Sequence, residues 1–147
     1  MRLAIILTLL CLSAAACEGP KSDTDVSEAA ARAMSEFVNQ SEHGAWVGGV
    51  DLGDGEFYPM SLVVNEGGFY TTYPTMPCRG TLELISASGA TAIYRELIHE
   101  GTDVCADGTL ITLTYLSPGR LQALLVEGDN HPPTTATLHK APPPPPR

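Results

Sequence analysis

The chain has 147 residues, a length typical of one domain with a single core. Its 17 acidic residues outnumber its 8 Lys and Arg residues, giving a formal net charge of -9. Nucleic acid is therefore not an expected partner, because binding to phosphates needs clustered cations. The 14 glycines, 12 prolines and low aromatic content favour a turn-rich fold over a helical bundle.

The N-terminus has the three parts of an export signal. Arg2 supplies the positive charge, residues 3–12 form an apolar run, and small residues follow as far as Cys17. Ten residues of helix measure about 15 Å, which is too short for a hydrocarbon core of about 30 Å. We therefore predict a signal peptide over residues 1–16, with a buried N-terminal core helix as the alternative.

The sequence AAAC at 14–17 resembles the lipobox of bacterial lipoproteins, in which the cysteine becomes the first mature residue and carries acyl chains. The resemblance implies lipidation of Cys17 and a place in the bacterial cell envelope, with the membrane as partner. The polar, turn-prone residues 18–25 indicate a short tether, so the predicted lipidated tether covers residues 17–26. Glu18 replaces the Asp that retains lipoproteins at the inner membrane of Gram-negative bacteria, which favours the outer membrane. Ordinary signal-peptidase cleavage after Ala16 is the alternative, because the segment also fits A-x-A.

Residues 27–40 have the pattern of an amphipathic α-helix. Asp25 can cap it, and Glu28 stands three residues later, as in a capping box. Apolar residues recur at helical spacing and form one stripe, which we expect to pack on a core; docking to a partner or a membrane is the alternative. The stripe consists of Val26, Ala30, Met34, Phe37 and Val38.

From Gly44 onward, short runs rich in β-branched and aromatic residues alternate with glycine-containing turns. We expect the fold to be all-β, an antiparallel small barrel or meander of about eight strands with one N-terminal α-helix, because barrel closure removes exposed edges. Pro59 indicates a local edge or bulge in the second strand. The predicted barrel domain spans 44–139, before a Pro-rich tail over 140–147. The predicted strands cover residues 45–52, 57–64, 68–73, 79–86, 91–99, 109–116, 120–127 and 134–139.

The cysteines separate into two groups. Cys11 leaves with the signal peptide, and Cys17 is the acylation candidate. Cys78 and Cys105 remain, and two thiols of one small domain usually pair in an oxidising compartment. Both fall at the same end of one predicted hairpin, and closing the loop is worth about 3–4 kcal/mol on the chain-entropy estimate. A redox or nucleophilic thiol is the alternative, but the pair lacks C-x-x-C spacing.

The sequence contains no G-x-S-x-G, H-E-x-x-H or phosphate-binding glycine motif, so we predict no enzyme activity and no cofactor. No metal site is predicted either. The histidines are too scattered for zinc, and the acidic residues of one predicted hairpin loop do not have the spacing of a calcium loop. The histidines are His43, His99, His131 and His139, and the acidic residues of the loop are Asp51, Asp54 and Glu56.

Glu96 belongs to the strand alternation of more interior character, with Ala92, Tyr94 and Ile98. The opposite alternation competes for the interior face, with Ile93, Leu97 and His99. A buried carboxylate needs a partner, so we predict a structural ion pair with an arginine. The candidate arginines are Arg79, Arg95 and Arg120. A small hydrolase-like enzyme is the further alternative, and it requires a deep cleft that holds Glu96 with a second titratable group.

A series of linked motifs resembles small exported bacterial β-domains of unknown function, which often occur in lipoproteins. The resemblance covers about residues 46–127 and implies a disulfide-closed β-barrel without a known activity. The motifs are W-x-G at 46–48, Y-P at 73–74, C-R-G-T-L-E-L at 78–84, Y-R-E-L-I-x-x-G at 94–101 and C-A-D-G at 105–108.

A fainter resemblance is to the membrane-bound inhibitors of c-type lysozyme, exported β-barrels with an S-G-x-x-Y motif. Here Ser88-Gly89 precedes Tyr94 with four intervening residues instead of two. The acidic net charge would suit a basic lysozyme. Gly44-x-Trp46 is also similar to the lipocalin G-x-W, although the strands are short for a deep ligand cup.

These observations predict a membrane-anchored envelope lipoprotein that acts as a binding or structural module for an envelope protein or other ligand. Three aromatic residues near the Asn65–Gly68 turn are the expected exposed binding surface: Phe69, Tyr70 and Tyr73. Ser88 and Tyr94 would take this role in the alternative function, inhibition of c-type lysozyme in the periplasm.

Overall fold

The computed structural model describes residues 43–143 and, before them, the single positions Arg32 and Asn39. The predicted signal peptide, Cys17 and the tether lie outside the described residues. So does the predicted helix over 27–40, apart from those two positions. Within the described part of the chain, no helix has the length and apolar character needed to cross a membrane.

Eight antiparallel strands follow one another around a closed barrel, and the last strand pairs with the first. The predicted all-β fold and its strands are confirmed, with bounds that differ by at most two residues. The strands are β1 (Gly44–Asp51), β2 (Phe57–Asn65), β3 (Gly68–Tyr73), β4 (Cys78–Ser88), β5 (Thr91–Glu100), β6 (Leu110–Ser117), β7 (Arg120–Val126) and β8 (Thr134–Lys140).

The structure adds detail to the predicted strands at Pro59 in β2 and at the end of β8. Pro59 pairs with Gly49 of β1, whereas the pairing of β2 with β3 begins only at Ser61. Pro59 therefore lies where β2 has one neighbour, and the predicted local edge is confirmed. At the other end of the domain, Lys140 still belongs to β8, so the sheet continues one residue into the predicted tail.

Alternate residues of each strand fill the barrel interior, as expected when side chains point to opposite faces. In β3, Phe69, Thr71 and Tyr73 are buried and Tyr70 points outward. The expectation that all three aromatic residues form an exposed surface is therefore wrong for Phe69 and Tyr73, which are only 1% and 6% exposed. The strand period of two assigns them to the interior.

One end of the interior is packed with large aromatic side chains. Trp46, Phe69 and Tyr94 are fully buried there, and the rings of Phe69 and Tyr94 are 4.9 Å apart. The Lys140 ammonium lies 5.8 Å from the centroid of the Trp46 ring, within cation–π range. We call this the aromatic end.

The predicted disulfide between Cys78 and Cys105 is confirmed, with the two Cα atoms 6.2 Å apart. Cys78 begins β4, and Cys105 lies in the loop that follows β5. Gly101 adopts a positive φ of 78°, and its carbonyl accepts hydrogen bonds from the amides of Val104 and Cys105. This tight turn brings Cys105 back towards the start of β4.

Candidate functional site

A cavity of about 230 Å³ opens at the other end of the barrel. It is lined by tyrosines, carboxylates, apolar side chains and the disulfide. We call the cavity and its lining residues the acidic end. The residues that matter for its chemistry are Tyr58, Tyr73, Met76, Glu96, Glu127 and the Cys78–Cys105 pair.

Glu96 lies in the wall of this cavity and is only 2% exposed. Its Oε1 accepts a hydrogen bond from the Thr71 hydroxyl. The Tyr73 hydroxyl lies 2.9 Å from Oε1 and 3.1 Å from Oε2. The carboxylate is therefore held by two neutral hydroxyl groups.

The predicted ion pair between Glu96 and an arginine is wrong. Arg79, Arg95 and Arg120 occupy outward positions of their strands, whereas Glu96 points inward. Arg79 instead pairs with Glu100, where its Nε lies 3.7 Å from Oε2 and both side chains are exposed. Strand alternation thus separates the arginines from the buried carboxylate.

Gly80 explains why Thr71 can reach Glu96 across an intervening strand. Thr71 is on β3 and Glu96 on β5, and β4 runs between them with Gly80 paired to Thr71. A Cβ atom on Gly80 would lie 3.0 Å from the Thr71 hydroxyl oxygen and 3.2 Å from Cγ of Glu96. The missing side chain leaves room for the hydrogen bond, a use of glycine that is common within strands.

The loop between β5 and β6 fixes the backbone of Glu96 on both sides. The amide of Glu96 donates to the carbonyl of Thr109 at 2.8 Å, and the carbonyl of Glu96 accepts from the amide of Gly108 at 3.0 Å. The carboxylate of Asp107 accepts from the Ile98 amide at 2.9 Å. These contacts hold Glu96 in one position, as a binding site requires.

Burial raises the pKa of Glu96 above the ordinary value for a glutamate. The hydrogen bonds from Thr71 and Tyr73 act in the opposite direction because they favour the charged form, whereas the nearby carboxylates of Glu127 and Asp107 raise the pKa further. Desolvation is the largest of these effects. The site thus contains an acid that holds its proton more tightly than an exposed glutamate.

The two tyrosines of the cavity form a tilted ring pair, with centroids 5.8 Å apart and planes at 59°. Burial and then the charge of Glu127 raise the pKa of Tyr58 to about 12. Burial and then the charge of Glu96 raise the pKa of Tyr73. Both phenols therefore remain protonated at neutral pH and act as hydrogen-bond donors and aromatic surfaces.

The charge of the cavity has one sign. Of its described lining residues, Glu96 and Glu127 carry carboxylates, and none is Lys, Arg or His. Elsewhere, the carboxylates of Asp51 and Asp54 accept hydrogen bonds from the amides of Gly53 and Glu56, which fixes the turn between β1 and β2. The described part of the chain contains no group of three or more His, Cys, Asp or Glu residues able to hold a metal ion.

The residues proposed for binding do not share one surface. Ser88 is exposed at the tip of the β4–β5 hairpin, whereas Tyr94 is buried in the barrel. Tyr70 is on the outer wall, where its hydroxyl donates to the carbonyl of Gly67 at 3.2 Å. Phe69 belongs to the aromatic end, so only Tyr73 among these candidates lines the cavity.

Tyr58, Thr71 and Glu127 are among the site residues that were not identified from the sequence. Tyr58 and Thr71 lie on inward alternations, and Glu127 immediately follows β7. The signal for Tyr58 was available, because it precedes Met60, Leu62 and Val64 at a spacing of two. The signal for Thr71 was Gly80 at an inward position of the neighbouring strand, which indicates close approach of another group.

Comparison of the chain with protein-family models, curated proteins and solved structures finds no match. The site must therefore be interpreted from its own geometry and chemistry.

Proposed function

We propose that the protein is a lipid-anchored lipoprotein of the bacterial envelope and that its barrel is a binding module with the acidic end as its site. The signal-peptide pattern over residues 1–16 and the lipobox-like cysteine Cys17 support the anchor. In this proposal the tether over 17–26 and the amphipathic helix over 27–40 connect the lipid to the barrel. The outer membrane is the favoured location, with the barrel facing the periplasm or the exterior.

The observation that carries the binding proposal is the placement of Glu96 in a cavity. Side chains fill the interior of small barrels, and a buried carboxylate without a cationic partner lowers stability. Glu96 has only hydroxyl partners among the described residues. A site with a costly ionisable group beside open volume is characteristic of function more than of structural support.

The residues that line the cavity fit a binding function better than a catalytic one. Glu127 supplies the second titratable group that a hydrolase-like enzyme requires. However, no described lining residue is His, Lys, Arg or Ser, the two cysteines are joined, and both tyrosines are held in the protonated form. The cavity thus offers recognition groups without an activated nucleophile.

A second candidate function is inhibition of a basic c-type lysozyme. The exposed Ser88 at the hairpin tip and the net charge of -9 favour it, although the buried Tyr94 does not share that surface. The purified full chain should then slow lysis of peptidoglycan by lysozyme at near-stoichiometric amounts. Full lytic activity with a micromolar excess of the chain would remove this candidate.

The intact mass of the protein extracted from membranes tests the anchor. We expect a chain that begins at Cys17, carries acyl groups and lacks two hydrogens because Cys78 and Cys105 are joined. An unmodified chain that begins at Met1, recovered from the cytosol, would contradict the proposal.

A fragment titration tests the binding module. The full chain, in nonionic detergent micelles and labelled with ¹⁵N, is titrated with separate pools of cationic, neutral and anionic fragments. We expect at least one pool to shift the amide signals of Glu96, which lines the cavity, and of Gly108, whose amide donates to the Glu96 carbonyl. Amide signals that stay unchanged at millimolar concentrations of all three pools would overturn the binding proposal.

A further inference from the structure

We propose that the acidic end binds a primary ammonium group carried on a short aliphatic stem. This inference rests on the proposed binding function and names its ligand class. Both charged groups that line the cavity are carboxylates, Glu96 and Glu127, and no described lining residue supplies a positive charge. A cation is the ligand that such a cavity complements.

The tyrosine pair provides a second recognition element for the same ligand. The rings of Tyr58 and Tyr73 pack against each other in the cavity lining, with planes tilted by 59°, and the Tyr73 hydroxyl is hydrogen-bonded to Glu96. Both rings line the cavity that Glu96 lines, so an ammonium group within it would have aromatic surface nearby, and aromatic faces attract cations. Met76 and the disulfide supply an apolar wall for the stem.

The size of the cavity limits the ligand to a small group. Its volume of about 230 Å³ is below the range of roughly 300–1,000 Å³ for sites that enclose drug-sized ligands. One alkylammonium group fits this limit. The same chemistry could come from a free amine or from a lysine side chain of a partner protein, and the experiment separates the two.

Where the pH lies below the raised pKa of Glu96, binding of the cation displaces the Glu96 proton. The carboxylic acid releases this proton to solvent, and the resulting carboxylate pairs with the ammonium ion, so charge and atoms balance. The titratable groups facing Glu96 are Tyr58, Tyr73, Glu127 and Asp107, and none of them is a lysine, arginine or histidine. The affinity should therefore rise with pH.

Calorimetry with three probes of equal length tests the ligand class. The full chain in nonionic micelles at low salt is titrated with n-butylammonium, n-butanol and butyrate. We expect n-butylammonium to bind about tenfold or more tightly than n-butanol, and butyrate not to bind. At about pH 5 the affinity for n-butylammonium should be lower than at about pH 8, and titrations in two buffers of different ionisation heat should report proton release.

Matched variants locate the effect. Glu96→Gln keeps the size of the side chain and removes its charge, and Glu127→Gln does the same for the second carboxylate. Glu66→Gln removes an exposed charge from the β2–β3 turn, outside the cavity lining. We expect the first two variants to lose about tenfold or more in affinity and Glu66→Gln to stay within about twofold of the wild type.

The outcomes separate this inference from the proposed function. Equal or tighter binding of n-butanol or butyrate at the cavity would overturn the ammonium class and leave the binding module intact. If no probe binds and the fragment pools cause no shifts, both proposals fail. Tighter binding of Nα-acetyl-lysine amide than of n-butylammonium would assign the group to a partner's lysine; equal or weaker binding would assign it to a free amine. Either result supports the ammonium class.

Discussion

The two ends of the barrel are built from the same strands but differ in what their interiors contain. The aromatic end buries Trp46, Phe69 and Tyr94 in close contact, whereas the acidic end surrounds a cavity with Glu96 in its wall. Apolar burial stabilises the first end. Desolvation of an ionisable group weakens the second.

On the proposed function, this contrast separates stability from binding within one small domain. The aromatic end is held by the packing of buried rings and by the contact of Lys140 with the Trp46 ring. At the acidic end a covalent bridge between Cys78 and Cys105 and the hydrogen-bonded β5–β6 loop hold the wall of the cavity. The barrel can thus tolerate a destabilising buried carboxylate at one end, because the packed aromatic end and the disulfide supply stability.

The largest expected effect is at the aromatic end. Phe69→Ala removes a fully buried ring and should lower the free energy of unfolding by about 3–5 kcal/mol. Tyr70→Ala is its matched control, since the neighbouring ring lies on the outer wall and should cost less than about 1 kcal/mol. Urea unfolding measures both. Equal losses for the two variants would break the distinction between inner and outer aromatic residues.

Removing the disulfide comes next. The double substitution Cys78→Ser with Cys105→Ser should lower the free energy of unfolding by about 3–4 kcal/mol, because the unfolded chain regains the freedom of the open loop. Hydrogen exchange should increase first at the amides of Glu96 and Gly108, which depend on the β5–β6 loop. Faster exchange confined to the aromatic end would contradict the role assigned to the disulfide.

Gly80→Ala tests the close approach that creates the site. The added methyl group would meet the Leu97 carbonyl oxygen at 2.8 Å and the Thr71 hydroxyl at 3.0 Å, so we expect a loss of about 1–3 kcal/mol. Gly49→Ala is the control, since the nearest atoms to its Cβ would belong to Phe57, at an ordinary contact distance of 3.5 Å or more. Its unfolding midpoint in urea should stay near that of the wild type. A harmless Gly80→Ala would show that Thr71 and Glu96 do not need this space.

The smallest expected effect is that of Glu96→Gln, which should raise stability at high pH, whereas the substitution at the aromatic end should lower it. Between the unfolded pKa of 4.5 and the higher folded pKa of Glu96, the folded chain keeps a proton that the unfolded chain has released. Stability is therefore lost as the pH rises through this interval. Glu96→Gln should be more stable than the wild type at about pH 8 and equally stable at about pH 3.5.

Thermal unfolding of both chains across this pH range measures the difference. Glu66→Gln serves as the control because its side chain is exposed, and it should follow the wild type. A Glu96→Gln variant less stable than the wild type at about pH 8 would mean that folding stabilises the charged carboxylate.

The sequence predicted the strands well because their signals are local. Alternation of apolar residues and glycine at the turns placed all eight strands, and the position of Cys78 and Cys105 at one hairpin end followed from that layout. The alternation also identified Glu96 as an interior residue. The same alternation places Phe69 and Tyr73 on the interior face, but the prediction of an exposed aromatic surface does not use it.

The partners of Glu96 were not predicted because they depend on register across three strands. Thr71 is 25 residues away in sequence and meets Glu96 only because Gly80 of β4 lies between them without a side chain. The sequence predicts an arginine partner instead, because a buried carboxylate is stabilised by an opposite charge. The side on which each arginine lies was already set by the strand period of two, which places Arg79 and Arg95 outside.

The most direct test of the acidic end is the titration of the Glu96 carboxyl carbon by ¹³C NMR in the full chain, with and without n-butylammonium. We expect Glu96 to titrate above the ordinary value of 4.5 without the amine and at a lower pH with it, because the cation stabilises the carboxylate. A Glu96 that titrates at or below 4.5 without the amine, or whose titration is unchanged at saturating amine, would contradict a buried acid poised to exchange its proton for a cation.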